Sequence, residues 1–77
     1  MLKEGDKKLL VKLGARLNEL RTEKELSLRQ LSYISNLDYS TIGKIEKGQV
    51  NITFTTLVEL AKALEVELVE ILNFRID

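Results

Sequence analysis

A chain of 77 residues is expected to form a single domain, and without cysteine or histidine it can form neither a disulfide nor an ordinary zinc site. No apolar run approaches the ~20 residues that span a bilayer, and the first residues lack the apolar core of a signal peptide, so we expect a cytoplasmic protein that does not contact membranes. No paired carboxylates converge on a predicted pocket, no glycine-rich phosphate loop is present, and Ser27 and Ser40 have no plausible base partner, so we do not expect an enzyme; we expect no cofactor, metal or small-molecule ligand.

The formal net charge is zero, but the charges are unevenly distributed along the chain. Residues 1–48 carry ten Lys/Arg and seven Asp/Glu, whereas residues 49–77 carry two Lys/Arg and five Asp/Glu. Binding to phosphates requires a local basic face and not a basic total. The first part of the chain is therefore compatible with DNA binding, although a chance split of solvated charges gives the same counts.

Leucine spacing predicts the first helix, and a capping motif predicts the second. The first is expected from Asp6, as N-cap, to Lys24, with leucines three and four residues apart at Leu9, Leu10, Leu13, Leu17 and Leu20. The second should begin after Ser27, whose hydroxyl can accept from backbone N–H groups while Gln30 completes a capping box. Its predicted apolar stripe consists of Leu28, Leu31 and Ile34.

A short turn is expected to separate the second helix from a third. Asn36 tolerates the left-handed conformation that ends a helix, and Asp38 is a good N-cap for the next one. The third helix is predicted from Tyr39 to about Lys47, with Gly48 as its C-terminal glycine. Its inward residues should be Ile42 and Ile45.

Two further helices complete an all-α prediction of five helices. After a loop over residues 49–53, a fourth helix should begin near Thr53 or Thr55 and carry Leu57, Leu60, Ala61 and Leu64. Residues 65–67 form a short connection to a last helix over about 68–73. We treat residues 1–77 as a single domain.

The second and third helices have the spacing of a helix-turn-helix over roughly residues 27–47. The second helix of such a motif must project far enough to enter a DNA major groove about 12 Å wide. Its inner face needs small apolar anchors, and its outer face needs short polar or basic side chains. The outer face here carries Tyr39, Ser40, Thr41, Lys44 and Lys47.

A family resemblance supports this interpretation and covers residues 17–72. The matching residues are Leu20-Arg21, Leu26-Ser27, Leu31, Ser40-Thr41-Ile42, the run 44–48, Thr56-Leu57, the run 60–64 and Leu72. In these positions the chain resembles the Cro and phage-repressor type of helix-turn-helix, the Xre family of prokaryotes and phages. The resemblance implies a compact five-helix bundle like the DNA-binding domain of lambda repressor, usually bound to double-stranded DNA as a two-fold dimer. It also implies a partly buried ion pair between Arg21 and Glu46.

Carried over by position, the resemblance also implies a set of DNA contacts. Base edges would be read by Tyr39, Ser40, Thr41 and Lys44. Phosphates would be contacted by Ser27, Arg29, Lys47, Asn51 and Thr53. The alternative for these residues is that they do not contact DNA: Tyr39 would only pack on the domain surface, and Ser40 and Thr41 would only form the first turn of the helix. Tyr33 is expected to be half-buried and structural.

Two positions depart from the family pattern. Many members have Gln directly after the Ser/Thr cap of the second helix, where it clamps a phosphate, and this chain has Leu28 there. The contact is then lost or supplied by Arg29. Gly43 stands where a larger side chain is usual; it weakens the helix by about 1 kcal/mol relative to Ala, which suggests close approach to DNA.

Apolar residues at the C-terminus raise the question of a dimer. Residues 66–77 contain more large apolar side chains than a short helix needs, so we expect a homodimer interface formed by Leu68, Ile71, Leu72, Phe74 and Ile76. The alternative is that Phe74 folds back onto the first helix.

We therefore expect a small transcriptional regulator, most simply a repressor that binds a palindromic operator as a homodimer. Candidate roles are a phage or mobile-element regulator and a restriction-modification controller. One alternative is an antitoxin that binds a toxin and represses its own operon. Another is a protein-interaction module that has lost DNA binding.

Overall fold

The computed structural model describes residues 3–77, so the first two residues of the predicted domain lie outside the described range. Within it the chain forms five helices: α1 Glu4–Glu23, α2 Leu28–Ser35, α3 Tyr39–Glu46, α4 Phe54–Leu64 and α5 Leu68–Ile71. The prediction of a compact all-α fold is confirmed. None of the helices described over residues 3–77 is long and apolar enough to cross a membrane.

The helix ends follow local hydrogen bonding, and α1 begins earlier than predicted. Lys3 occupies the N-cap position, and the Asp6 carboxylate lies one turn in and accepts from the Lys3 backbone N–H at 3.5 Å. Asp6 is therefore a first-turn acid, which favours the positive end of the helix dipole, and not the cap itself. At the other ends, Asn36 is left-handed at φ 64° as predicted, and Gly48 follows α3 at φ 72°.

The start of α2 and the turn that follows it are fixed by side-chain hydrogen bonds. Ser27 Oγ accepts from the Gln30 N–H at 3.1 Å and Gln30 Oε1 accepts from the Ser27 N–H at 2.7 Å, which is the predicted capping box. In the turn, Ser32 Oγ donates to the Leu37 carbonyl at 2.7 Å, and the Leu37 N–H donates to Ser35 Oγ at 3.2 Å. These two serines set the angle at which the chain enters α3.

The core lies where the four longer helices meet, and α5 closes one end of it. Its most deeply buried side chains are Leu31, Ile42, Leu60, Leu64 and Ile71. Two predicted core residues lie elsewhere: Leu9 is 41 % exposed and Ile34 is 55 % exposed. On α2 the buried pair is Leu31 and Ser35, four residues apart on one face, so Ile34 is turned outward.

The C-terminal residues divide into core and surface, which corrects the predicted dimer interface. Ile71 is fully buried, because α5 packs against α1 and α4, so it cannot contact a partner. Leu68 and Phe74 are half-buried against the same core. Leu72 and Ile76 remain exposed, at 47 % and 74 %.

The tail after α5 returns along α1, as the alternative for Phe74 anticipated. Phe74 borders a shallow surface groove together with side chains of α1, among them Ala15. Two α1 cations donate to carbonyls of the C-terminal region: Arg16 Nε to Glu70 O at 2.8 Å and Lys12 Nζ to Asp77 O at 3.0 Å. The aromatic ring therefore contributes to the fold and not to a free apolar surface.

Candidate nucleic-acid interface

The helix α3 is held by one face and exposes the other. Ile42 and Ile45 are buried at 1 % and 4 % exposure. A surface groove between α2 and α3 is bordered on the α3 side by residues of the exposed face, namely Tyr39, Ser40, Gly43, Lys44 and Lys47. Thr41 is also exposed but does not border this groove. The structure thus brings four of the five predicted outer-face residues together around this groove, and Thr41 lies outside its lining.

The two departures from the family pattern lie against each other. A Cβ added to Gly43 would lie 4.0 Å from Leu28 Cδ1, and Leu28 is half-buried against the core. Leu28 therefore packs between α2 and α3, where a polar side chain would have reached outward. The absence of a side chain at position 43 leaves the wall of the groove open.

Arg29 lies next to Leu28 and contacts the first residue of α3. Its guanidinium carbon is 5.1 Å from the centroid of the Tyr39 ring, which is within the range of a cation–π interaction. Tyr39 is 46 % exposed, and both side chains border a second groove with Ser32 and Tyr33. Tyr33 is 88 % exposed, so the expectation that it is half-buried is wrong.

An ion pair joins α1 to the C-terminal end of α3. Arg21 Nε and Nη2 donate to the two carboxylate oxygens of Glu46 at 2.6 and 3.0 Å, and the side chains are only 12 % and 8 % exposed. The Glu46 hydrogen bond is the main reason why the pKa of Arg21 is raised. Arg21 Nη1 also donates to the Leu26 carbonyl at 2.7 Å, and Asn18 Nδ2 donates to Glu46 Oε1 at 2.9 Å. The carboxylate is thus neutralised and held by several donors, which fixes the end of α3.

Two glycines let backbones approach at the same end of α3. A Cβ at Gly14 would lie 2.4 Å from the carbonyl oxygens of Ile45 and Glu46, and a Cβ at Gly48 would lie 2.7 Å from the Val11 backbone. Gly48 was predicted as a helix terminator; its second role as a contact to α1 was not. A glycine within a leucine-rich helix, as at position 14, is the sequence signal that could have indicated this close packing.

Asp38 occupies the N-cap position of α3, but its side chain does not cap the helix. The carboxylate instead accepts a hydrogen bond from the Ser40 hydroxyl. This hydrogen bond is the main cause that holds the pKa of Asp38 below its usual value. The Ser40 hydroxyl is the donor in this hydrogen bond, so its oxygen is left to act as an acceptor.

The predicted phosphate contacts are spread over the starts of α2 and α4 and the end of α3. Ser27, Arg29, Lys47, Asn51 and Thr53 are all exposed. The Ser27 hydroxyl is engaged in its capping box, and Thr53 Oγ1 caps α4 by accepting from the Thr56 N–H at 3.2 Å. Their side-chain oxygens thus organise the starts of α2 and α4.

The same arrangement recurs in characterised proteins. The family model HTH_3, described as helix-turn-helix, matches residues 17–71. The control protein C.SmaI of Serratia marcescens is 37% identical over 61 residues, which are 79% of this chain and 73% of that protein.

Solved structures agree with the sequence comparisons. The restriction-modification controller protein C.AhdI of Aeromonas hydrophila superposes with a TM-score of 0.79 at 47% identity, covering 80% of this chain and 94% of that one. The controller protein C.Esp1396I, solved as a tetramer in complex with its natural 35 base-pair operator, gives a TM-score of 0.74 at 36% identity over 84% and 96% of the two chains.

Proposed function

The chain belongs to the helix-turn-helix family HTH_3 and is a DNA-binding transcriptional regulator, and on that premise we propose that it is a restriction-modification controller acting as a homodimer on a palindromic operator. The observation that carries the proposal is the 47% identity to C.AhdI over 94% of that chain. A likeness over almost the whole of a controller protein supports the same kind of role more strongly than a shared motif does. Repression would follow where the bound operator overlaps the polymerase site.

In this proposal α3 enters the major groove with its exposed face toward the bases. Lys44 is exposed on that face and donates to guanine O6 or N7, the acceptors that a G·C pair presents there. Ser40 offers acceptor lone pairs, because its proton is engaged by Asp38, and so suits an amino group of adenine or cytosine. Thr41 is exposed outside the lining of the groove and is the remaining candidate for a base contact.

Phosphate contacts on either side of α3 would set the register of the protein on the duplex. Lys47 and Asn51 lie at the C-terminal end of α3 and in the loop that follows, and Thr53 lies at the start of α4. Ser27 and Arg29 lie at the start of α2, on the other side of the groove. Such contacts position the protein without reading sequence.

The homodimer would form through exposed apolar residues near the C-terminus. Leu72 and Ile76 keep the role that the sequence suggested, and Val69, which is 70 % exposed, joins them as a residue that the sequence pattern did not single out. Large exposed apolar side chains close together in the chain favour an interface over solvent. A two-fold dimer of this kind would present two copies of α3 to half-sites about 34 Å apart, one turn of DNA.

Selection of bound sequences from a random DNA pool tests the operator. A palindromic consensus is expected, with binding that falls steeply as salt is added. Lys44→Ala should relax preference at one base position of each half-site, whereas Lys47→Ala should weaken binding to all sequences similarly. A protein that shifts no DNA at low salt, or two lysine variants that bind as the wild type does, would refute the proposal.

Sedimentation equilibrium tests the dimer. Ile76→Asp places a charge on the proposed interface and should yield monomers at concentrations at which the wild type is dimeric. Ile34→Asp is the matched control, since Ile34 is an exposed isoleucine of α2 at 55 % exposure. Equal association of both variants and the wild type would place the interface elsewhere.

A further inference from the structure

The stack of Arg29 on Tyr39 joins α2 to α3, the two helices that border the groove described above. Arg29 lies in the first turn of α2 and Tyr39 is the first residue of α3, and the 5.1 Å separation brings the guanidinium over the ring. Arg29 is exposed and Tyr39 is nearly half exposed, so the stack forms at the surface and not in the core. A contact of this kind restricts a long side chain without burying its charge.

Arg29 differs from the other arginines in how its donors are used. Arg16, Arg21 and Arg75 each donate to carbonyl or carboxylate oxygens. Within residues 3–77 no oxygen accepts a hydrogen bond from Arg29, and no carboxylate pairs with it. Its guanidinium therefore keeps its N–H donors for a ligand while the Tyr39 ring contacts it.

The stack lies beside position 28, where the family pattern has a phosphate-binding glutamine that this chain lacks. The residue before Arg29 is Leu28, which turns inward and packs toward Gly43. No amide at that position can hold a phosphate. The cation that replaces it is one residue further along α2 and needs its own restraint, because a free arginine at a surface samples many rotamers.

We propose that Tyr39 is a positioning residue that holds the Arg29 guanidinium in place to bind a DNA phosphate at the edge of the groove between α2 and α3. The inference rests on the proposed DNA-binding function and assigns to Tyr39 a role different from base reading. The ring restricts the rotamers of Arg29 before DNA arrives, so less side-chain entropy is lost on binding. The planar donor fork then meets phosphate oxygens, for which arginine geometry is well suited.

A double-mutant cycle on a selected operator tests the proposal, with dissociation constants measured over a range of salt concentrations. Arg29→Ala should lower the slope of log K against log[salt] by about 0.9, the loss of one phosphate contact. Tyr39→Ala keeps the charge but loses the restraint, and should weaken binding about 2–5-fold, as expected for an exposed cation–π contact. The double variant should bind no more weakly than Arg29→Ala alone, since Tyr39 acts through Arg29.

Rescue and control variants separate this role from others. Tyr39→Phe retains the ring and should restore most of the affinity that Tyr39→Ala loses. Tyr33→Ala removes an exposed tyrosine from the neighbouring groove without removing the stack, and should bind as the wild type does. Urea unfolding midpoints of all variants show whether any loss of binding reflects a loss of fold.

Several outcomes would overturn the inference. Additive losses in the double variant would mean that Tyr39 and Arg29 act separately. A change in the preferred base with Tyr39→Ala, or failure of Tyr39→Phe to rescue, would make Tyr39 a direct DNA contact. If the wild type binds DNA and the cycle is additive, only the positioning role of Tyr39 is refuted; if the wild type binds no DNA at low salt, the proposed function falls as well.

Discussion

Replacing Gly14 by alanine changes both helix propensity and packing, and the two effects predict changes of opposite sign in the free energy of unfolding. In an isolated helix the change would stabilise by about 1 kcal/mol. In the structure the new methyl group would lie 2.4 Å from two carbonyl oxygens of α3, where ordinary contact needs 3.4–4 Å. Relief therefore requires α1 and α3 to separate by roughly 1 Å, since neither obstacle is a flexible side chain.

The magnitude follows from the cost of overpacking. An extra methyl group forced into a packed site typically costs about 1–3 kcal/mol, and a backbone obstacle places this site at the upper end. After the propensity gain we expect a net loss of about 2 kcal/mol, out of a total of about 4–12 kcal/mol for a domain of this length. DNA affinity should fall as well, because α3 would move relative to α1 and α2 and would carry its exposed side chains with it.

Urea unfolding followed by circular dichroism measures the effect, with two matched controls within the same chain. A Cβ added at Gly5 would have no neighbour within 4 Å, and one added at Gly43 would meet only Leu28 Cδ1 at 4.0 Å. Alanine at either position should stabilise the fold by up to about 1 kcal/mol. A Gly14→Ala protein as stable as these two controls would refute the inferred contact between α1 and α3.

Three further changes test other contacts by stability or titration. Glu46→Gln should destabilise by about 3 kcal/mol in urea unfolding, because it leaves the nearly buried Arg21 without a counter-charge; no change would mean that the pair is solvated. Ile71→Ala should cost about 2–5 kcal/mol in urea unfolding, because its side chain is completely buried; a loss well below about 1 kcal/mol would show that it does not belong to the core. Ser40→Ala should raise the Asp38 pKa toward its ordinary value, as followed by NMR titration. The folded-state pKa of Asp38 lies below the unfolded value of about 4. The stabilisation from this shift is therefore complete above about pH 4 and is lost as the pH falls through the folded-state pKa, so Ser40→Ala should show a smaller loss of stability in acid.

Much of the fold was predictable because its signals are local. The Ser27–Gln30 capping box, the left-handed Asn36 and the glycine after α3 depend on residues within a few positions of one another. The predicted core was wrong where two neighbouring residues could each occupy the buried face of a helix. Ile34 fits an apolar stripe, yet Ser35 takes the inward position because its hydroxyl also accepts a hydrogen bond from the turn.

The C-terminal region shows why the long-range part could not be predicted. Leu68, Ile71, Leu72, Phe74 and Ile76 have equally apolar side chains, and no local pattern separates those that cover the core from those that remain exposed. The separation depends on where α5 meets α1 and α4, which is a property of the tertiary packing. The Arg29–Tyr39 stack has the same origin, since its members lie ten positions apart, on two helices joined by a turn.

The orientation of the recognition helix depends on α1 as much as on its helix-turn-helix partner. The C-terminal end of α3 meets α1 at Gly14 through backbone contact and at Arg21 through the Glu46 ion pair, and the turn after it meets Val11. The N-terminal end is instead set by α2 and the turn. In the proposed binding mode, loosening α1 would therefore shift the C-terminal end of α3, and Lys44 with it, while the first turn of α3 stays anchored to α2. Variants at the α1 contacts should consequently lose sequence discrimination before they lose salt-dependent, non-specific binding, because phosphate contacts tolerate small shifts and base-edge hydrogen bonds do not.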